Sequence, residues 1–157
     1  MTRNRTQRSK TSAATKDRWA ELADLVLVIA REIQFRGYTD ERAQRLSPSE
    51  GMVMRHLQRQ PDAAPSQVAA ATGLQRTNLS TVLRGLEAKG LIERQAHPAD
   101  RRGVVIHLTE SGRTNYTVAR GEWAAAVSAA AGGEAANLEA AIALLATVRD
   151  GLTASRP

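Results

Sequence analysis

The 157-residue sequence predicts a mainly α-helical protein carrying one small antiparallel β-hairpin. Apolar residues recur at alternating spacings of three and four in several separate segments, the period of helices with one buried stripe. Aromatic residues make up only 3% of the chain while apolar residues make up 42%. A core of Leu, Val, Ile and Ala is therefore expected, which suits closely packed helices. One run alone is rich in β-branched residues, Val104 to Leu108, and it follows a second apolar start at Leu91. A chain of this length fits one domain, or a small domain with helical extensions.

Bulk properties remove several function classes. No cysteine is present, which excludes disulfides, thiolate metal sites and thiol catalysis. Purely apolar runs such as Leu25 to Ala30 are far short of the roughly 20 residues of a membrane span, and the polar start lacks the apolar core of a secretory signal. A soluble cytoplasmic protein is expected. The formal charge of +6 is unevenly distributed: residues 1–16 carry +5 with no acid, 17–44 carry −2, 45–120 carry +5, and 121–157 carry −2. The middle of the chain is basic between mildly acidic flanks, preceded by a basic tail.

Residues 1–15 hold Arg3, Arg5, Arg8 and Lys10 with almost nothing to bury, and are expected to be a disordered basic tail. From Asp17 the positions Trp19, Leu22, Val26, Ile29 and Ile33 form a helical stripe. Leu25, Leu27 and Val28 add apolar surface beyond it, more than so short a chain can cover, so a partner chain is expected to share this helix. Residues 16–44 are assigned to this N-terminal dimerisation helix and its linker.

Ser47-Pro48-Ser49-Glu50 reads as a helix start, with Ser47 capping, Pro48 in the first turn and Glu50 closing a capping box. Val53, Met54 and Leu57 supply its buried side, and Pro61-Asp62 closes it. Pro65 opens a short helix to Thr72 that Gly73 ends. A third helix runs from about Gln75 to Lys89 with Leu79, Val82, Leu83 and Leu86 inward and Gly90 as its stop. Leu91 to Gln95 and Val104 to Leu108 make the hairpin, separated by a long polar, basic tip from His97 to Gly103. Thr109 caps a helix that carries Tyr116, Trp123 and Val127 and breaks at Gly132-Gly133. The last helix, about Glu134 to Leu152, presents Leu138, Ala141, Leu145, Val148 and Leu152 as a stripe.

Helix, helix, helix, hairpin is the order of a winged helix-turn-helix, assigned to residues 45–110, with C-terminal dimerisation helices over 111–157. Three pieces in order, Leu86-Glu87-Ala88-Lys89-Gly90-Leu91-Ile92-Glu93-Arg94, Pro98-Ala99-Asp100-Arg101-Arg102 and Ile106-His107-Leu108-Thr109-Glu110-Ser111-Gly112-Arg113, resemble the MarR family of regulators. That resemblance implies a homodimer whose first and last helices interlock. It implies two winged domains that repress promoters, and often release of DNA when a small aromatic or phenolic effector binds.

The residue chemistry agrees. With its leucines inward, the third helix leaves Gln75, Arg76, Thr77, Asn78, Ser80, Thr81 and Arg84 outward, with no acid before Glu87. A helix fits the major groove of double-stranded DNA, where Arg reads guanine and Asn reads adenine, while Ser80 and Arg84 suit phosphates. At the hairpin tip Asp100, Arg101 and Arg102 suit the minor groove, whose negative potential attracts Arg. By similarity to the family's Asp-x-Arg wing, Arg102 is the probe and Asp100 orients its guanidinium. Lys89, Arg94 and Arg113 are further basic residues, each as well suited to an ordinary solvated surface charge as to contact with the DNA backbone. A two-fold dimer implies an inverted repeat as target.

Trp19, His56, Tyr116 and Trp123 are imaginable effector contacts, but such residues more often belong to a core or interface, and no pocket is assigned. His56, His97 and His107 lie far apart with no metal-ligand spacing, so no metal is expected. There is no G-x-S-x-G, no recognisable serine, histidine and acid arrangement, and no phosphate-binding glycine loop, so neither catalytic residues nor an enzyme are expected. The same architecture also serves as a protein interaction module without specific DNA binding. That alternative would favour apolar anchors or acids on the outward face of the third helix.

Overall fold

The computed structural model describes the backbone of residues 3–97 and 100–156 and the side chains of residues 15–96 and 103–156. Helix α1 spans Arg3–Phe35 and, with the residues up to Gly37, forms one compact unit; the body of the protein begins at Tyr38. The expected disordered tail over residues 1–15 is corrected, because the helix starts at Arg3. No Pro or Gly interrupts the chain before Gly37, and Arg, Gln, Lys and Ala are fair helix formers. Once the apolar half is helical, each further residue adds a hydrogen bond without a new nucleation cost. Within its own unit α1 leaves Trp19, Leu25, Leu27, Val28 and Ile29 at least half exposed.

In the body, α2 (Pro48–Arg59), α3 (Pro65–Thr72) and α4 (Arg76–Ala88) are followed by strands β1 (Ile92–His97) and β2 (Asp100–Leu108), then α5 (Glu110–Ala130) and α6 (Leu138–Ala154). The capping box at the start of α2 is complete: Ser47 Oγ accepts from the Glu50 N–H at 3.3 Å, and the Ser47 N–H donates to Glu50 Oε2 at 2.7 Å. Gly73 ends α3 at φ 71°, a left-handed turn in which a Cβ is strained, so α4 starts three residues later in a new direction. Val53, Met54, Leu57, Val68, Leu83 and Leu86 form the centre of the core, with Ile106 of β2 and Tyr116 of α5 packed against them.

The hairpin differs from the expected long tip over residues 97–103. Its strands pair antiparallel from Ile92 opposite Leu108 to Ala96 opposite Val104, then jump to His97 opposite Asp100. The β-branched run Val104 to Ile106 carries pairing toward the tip, and the surplus residues of β2 are absorbed as an irregularity there. Pro98 and Ala99 lie outside the described residues, as do the side chains of Asp100, Arg101 and Arg102, whose backbone belongs to β2. The base of the wing is also fastened to the loop after α2, where the Ile106 N–H donates to the Ala63 carbonyl at 3.0 Å. Residues 38–44, expected in a linker, fasten to α5 instead: Glu122 accepts from the backbone of Thr39 and Asp40, and Asn115 accepts from the Gln44 N–H and donates to the Gln44 carbonyl. Among the described residues no helix is long and apolar enough to cross a membrane.

Helix α5 passes so close to the end of α4 that one position has no room for a side chain. Thr109 caps α5 by accepting from the Gly112 N–H at 2.9 Å while its hydroxyl donates to the Gly90 carbonyl at 2.7 Å. A Cβ on Gly112 would lie 1.9 Å from the Leu91 carbonyl oxygen, a backbone atom with no freedom to rotate away. Gly112→Ala is therefore expected to destabilise the body by about 3 kcal/mol, the upper range for overpacking. Urea unfolding measures it, and a midpoint equal to the parent's would contradict this packing.

Candidate functional site

Helix α4 has two unlike faces, and its geometry follows from which one is buried. Leu79, Leu83 and Leu86 are at most 3% exposed and belong to the core, with Val82 partly buried beside them. Gln75, Arg76, Thr77, Asn78, Ser80, Thr81 and Arg84 are all exposed. The structure thus brings every helical residue singled out in the sequence onto one outward surface. Gln75 is the N-cap but makes no side-chain capping bond, so its amide is directed to neither orphan N–H of the first turn.

The hydrogen bonds on this face separate its donors into two kinds. Ser80 Oγ donates to the Arg76 carbonyl at 2.9 Å and Thr81 Oγ1 to the Thr77 carbonyl at 3.3 Å, so both hydroxyls bond back to their own helix. Each keeps acceptor lone pairs outward and must rotate before it donates to a phosphate. Arg84 reaches only to Thr81 Oγ1 at 3.5 Å. Among the described residues no acid pairs with Arg76 or Arg84, which leaves their charge for an external anion.

The three other basic residues of this region are engaged within the chain. Arg94 pairs with Glu87 at 2.8 Å, joining β1 to the end of α4. Arg113 donates to the Leu108 carbonyl at 2.8 Å and pairs with Glu110. Lys89 Nζ lies 2.8 Å from both oxygens of Glu50 and donates to the Arg45 carbonyl at 2.9 Å. Burial of Glu50 alone would raise its pKa, yet the Lys89 ammonium and the Ser47 N–H outweigh that and hold the carboxyl below its ordinary range. This clasp ties the start of α2 to the end of α4 and sets where the outward face of α4 points. Sequence reasoning read Glu50 as a cap and Lys89 as a surface charge; their pairing across 39 positions carries no local signal.

A second concavity lies between α2 and α5. It encloses about 210 Å³ and is lined by Arg55, Gln58, Arg59, Tyr116, Arg120 and Trp123. Tyr116 and Trp123 stack edge to face with centroids 6.3 Å apart, and the Trp123 indole N–H also bonds the hydroxyl of Tyr38. The aromatic wall is therefore fixed, while the three arginines give the cleft a positive lining. His56 is not among the lining residues. Its Nε2 is buried without a hydrogen-bond partner, and burial pushes the imidazole pKa below its ordinary value. Trp19 belongs to the α1 unit.

A family model described as the MarR family matches residues 46–103. A comparison with curated proteins finds no match. Among solved structures, FabT of Streptococcus pneumoniae, in complex with DNA, is 27% identical over 92% of this chain and 99% of its own, with a TM-score of 0.65. The transcriptional repressor CouR, bound to a 23-mer DNA duplex, is 24% identical over 87% and 89% of the two chains, with a TM-score of 0.56. BpsR of Bordetella bronchiseptica, whose DNA binding is regulated by 6-hydroxynicotinic acid, is 22% identical over 82% and 98%, with a TM-score of 0.59.

The clasp at the end of α4 makes a pH-dependent prediction. Because the folded-state pKa of Glu50 is lowered, its stabilisation is complete above the unfolded value near 4.3 and is lost as pH falls through the folded value. Lys89→Met strands the carboxylate and is expected to cost about 1–3 kcal/mol at pH 7, less than a fully buried pair because Lys89 is part exposed. The gap between variant and parent should narrow steadily below pH 4 in urea unfolding; a gap independent of pH would remove Glu50 from the account.

Proposed function

We propose, starting from a chain whose residues 46–103 are a MarR-family domain, that it is a sequence-specific double-stranded DNA-binding transcription regulator acting as a homodimeric repressor. The observation that carries this reading is the outward surface of α4: donors of short or forked reach, no acid, and no apolar anchor. In this reading α4 enters the major groove, Arg76 and Asn78 read base edges, and Gln75, Thr77 and Thr81 flank them. Ser80 and Arg84 hold phosphates and set register. Arg102 enters the minor groove beside Arg101, with Asp100 orienting its guanidinium. The similarity to FabT and CouR, both solved with DNA, supports the reading.

Two further features belong to the proposal. The apolar side chains left exposed on α1 and on α6 are proposed as surfaces that a second copy covers, since exposed apolar side chains grouped on one helix suit an interface. The cleft between α2 and α5 is proposed to take the effector, a small aromatic or phenolic compound bearing a carboxylate. Its arginines suit the anion and its Tyr116 and Trp123 suit a ring. At about 210 Å³ it falls below the roughly 300 Å³ of drug-sized pockets, which favours a single-ring molecule.

Selection of bound fragments from genomic DNA, followed by titration, tests the DNA assignment. The fragments are expected to contain an inverted repeat with half-sites about one helical turn, roughly 10 base pairs, apart. Asn78→Ala and Arg102→Ala should each weaken binding by about 1–3 kcal/mol, and Asn78→Ala should also relax preference at one base position. Affinity should fall steeply with salt as counterions are released. Salt-insensitive binding, or equal affinity of both variants and the parent, would instead favour a protein interaction module.

For the effector, benzoate-type carboxylates are expected to release DNA from the parent. Arg120→Ala should raise the concentration required by at least about tenfold, as for loss of one charge-assisted hydrogen bond. An unchanged requirement would put the effector elsewhere.

A further inference from the structure

Helix α6 is held in its own chain in an unusual way. It buries no residue, and Leu138, Ile142, Leu144, Leu145 and Leu152 are all exposed, so apolar packing does not fix it to the body. Its end is tied by polar contact instead. Arg156 Nη1 donates to the Ala71 carbonyl at 3.0 Å, across 85 positions of sequence. Ala71 lies in the last turn of α3, where carbonyls have no helical N–H to accept from and the helix end carries partial negative charge. The same guanidinium lies over Gly73, where a Cβ would come within 3.1 Å of Nη1 and 3.2 Å of Cζ. Gly73 is the left-handed residue that sets the direction of α4, and Gln75, two residues on, is its N-cap.

The Asp150 carboxyl is held below its ordinary pKa first by the adjacent Arg149 guanidinium and additionally by the charge of Arg59 on α2. Arg59 also lines the cleft between α2 and α5. The hydrogen bond from Arg156 joins the end of α6 to the turn after α3 at an exposed position, a contact that contributes little to global stability and yields readily.

We infer that Arg156 is a positioning residue that fastens the end of α6 to the turn between α3 and α4, so that a displacement of α6 changes the presentation of the α4 surface. The tie is short, passes through one side chain, and ends on the backbone turn that fixes the angle of α4. Its consequence for DNA rests on the function proposed above, whereas its consequence for the turn does not. Because Arg156 is exposed, its replacement leaves the core intact and the variant folds.

The full-length protein, with Arg156→Ala and Arg156→Lys beside the parent, tests this by two readouts. Amide hydrogen exchange over residues 70–76 in the free protein should quicken by about tenfold in Arg156→Ala, within the usual range of coupling between sites, and by less in Arg156→Lys. Sedimentation and thermal unfolding should match the parent. Affinity for the selected DNA should fall by about tenfold in Arg156→Ala, with Arg156→Lys between the two. Unchanged exchange in Arg156→Ala overturns the tie, whether or not the protein binds DNA. Faster exchange with unchanged affinity overturns the coupling to α4. A parent that binds no DNA overturns the proposed function, and the exchange result alone then decides the tie.

Discussion

The inward edge of α4 constrains everything built on it. Leu79, Leu83 and Leu86 fall at spacings of four and three, so one stripe of a 3.6-residue helix is committed to the core. Burying each leucine is favourable by about 1.5–3 kcal/mol, while turning the helix over would strand Arg76 and Arg84 in an apolar interior. The outward placement of the arginines, threonines and Asn78 is therefore imposed by the core rather than selected at the surface. Rotation about the helix axis is settled by the leucines. Translation along it is settled by the Glu50–Lys89 clasp and by the Gly112 close approach at the end of α4.

Those locks explain which parts of the molecule were legible in the sequence. Helices α2, α3 and α4 announce themselves because their signals are local: Ser47 with Glu50, Pro65 at a helix start, Gly73 at a helix stop, and leucines in period. The outward residues of α4 follow from that period alone. What stayed hidden is long-range or energetically marginal. Glu50 with Lys89, Asn115 with Gln44, and Ala63 with Ile106 join residues far apart in sequence, and nothing in either neighbourhood requires its partner. The start of α1 was misread because a polar, basic composition argues against burial, whereas extending a helix requires only backbone hydrogen bonds. The hairpin tip was misread because polar residues were counted as loop, although His97 and Asp100 still pair across it.

The surface divides into regions with different chemistry. The α4 face offers donors and positive charge, the α2–α5 cleft offers three arginines against two fixed aromatic rings, and α6 offers leucine and isoleucine side chains to solvent. In the dimeric reading these are not independent. A two-fold regulator has to hold two α4 helices at a separation set by the helical repeat of DNA, so an error in placing the dimer helices becomes an error at both half-sites. Apolar contact between copies fixes the helices to each other and has no directional preference of its own. Direction has to come from contacts with geometry, and hydrogen bonds supply it.

This is why the polar tie of α6 matters more than its strength suggests. An exposed guanidinium on a carbonyl adds little to folding stability, but it has one length and one angle, and it ends on the turn that aims α4. With its apolar side chains exposed and one weak, directional fastening at its end, α6 can shift without unfolding the body. A rigid apolar junction at the same place would transmit nothing, because it would have only one arrangement.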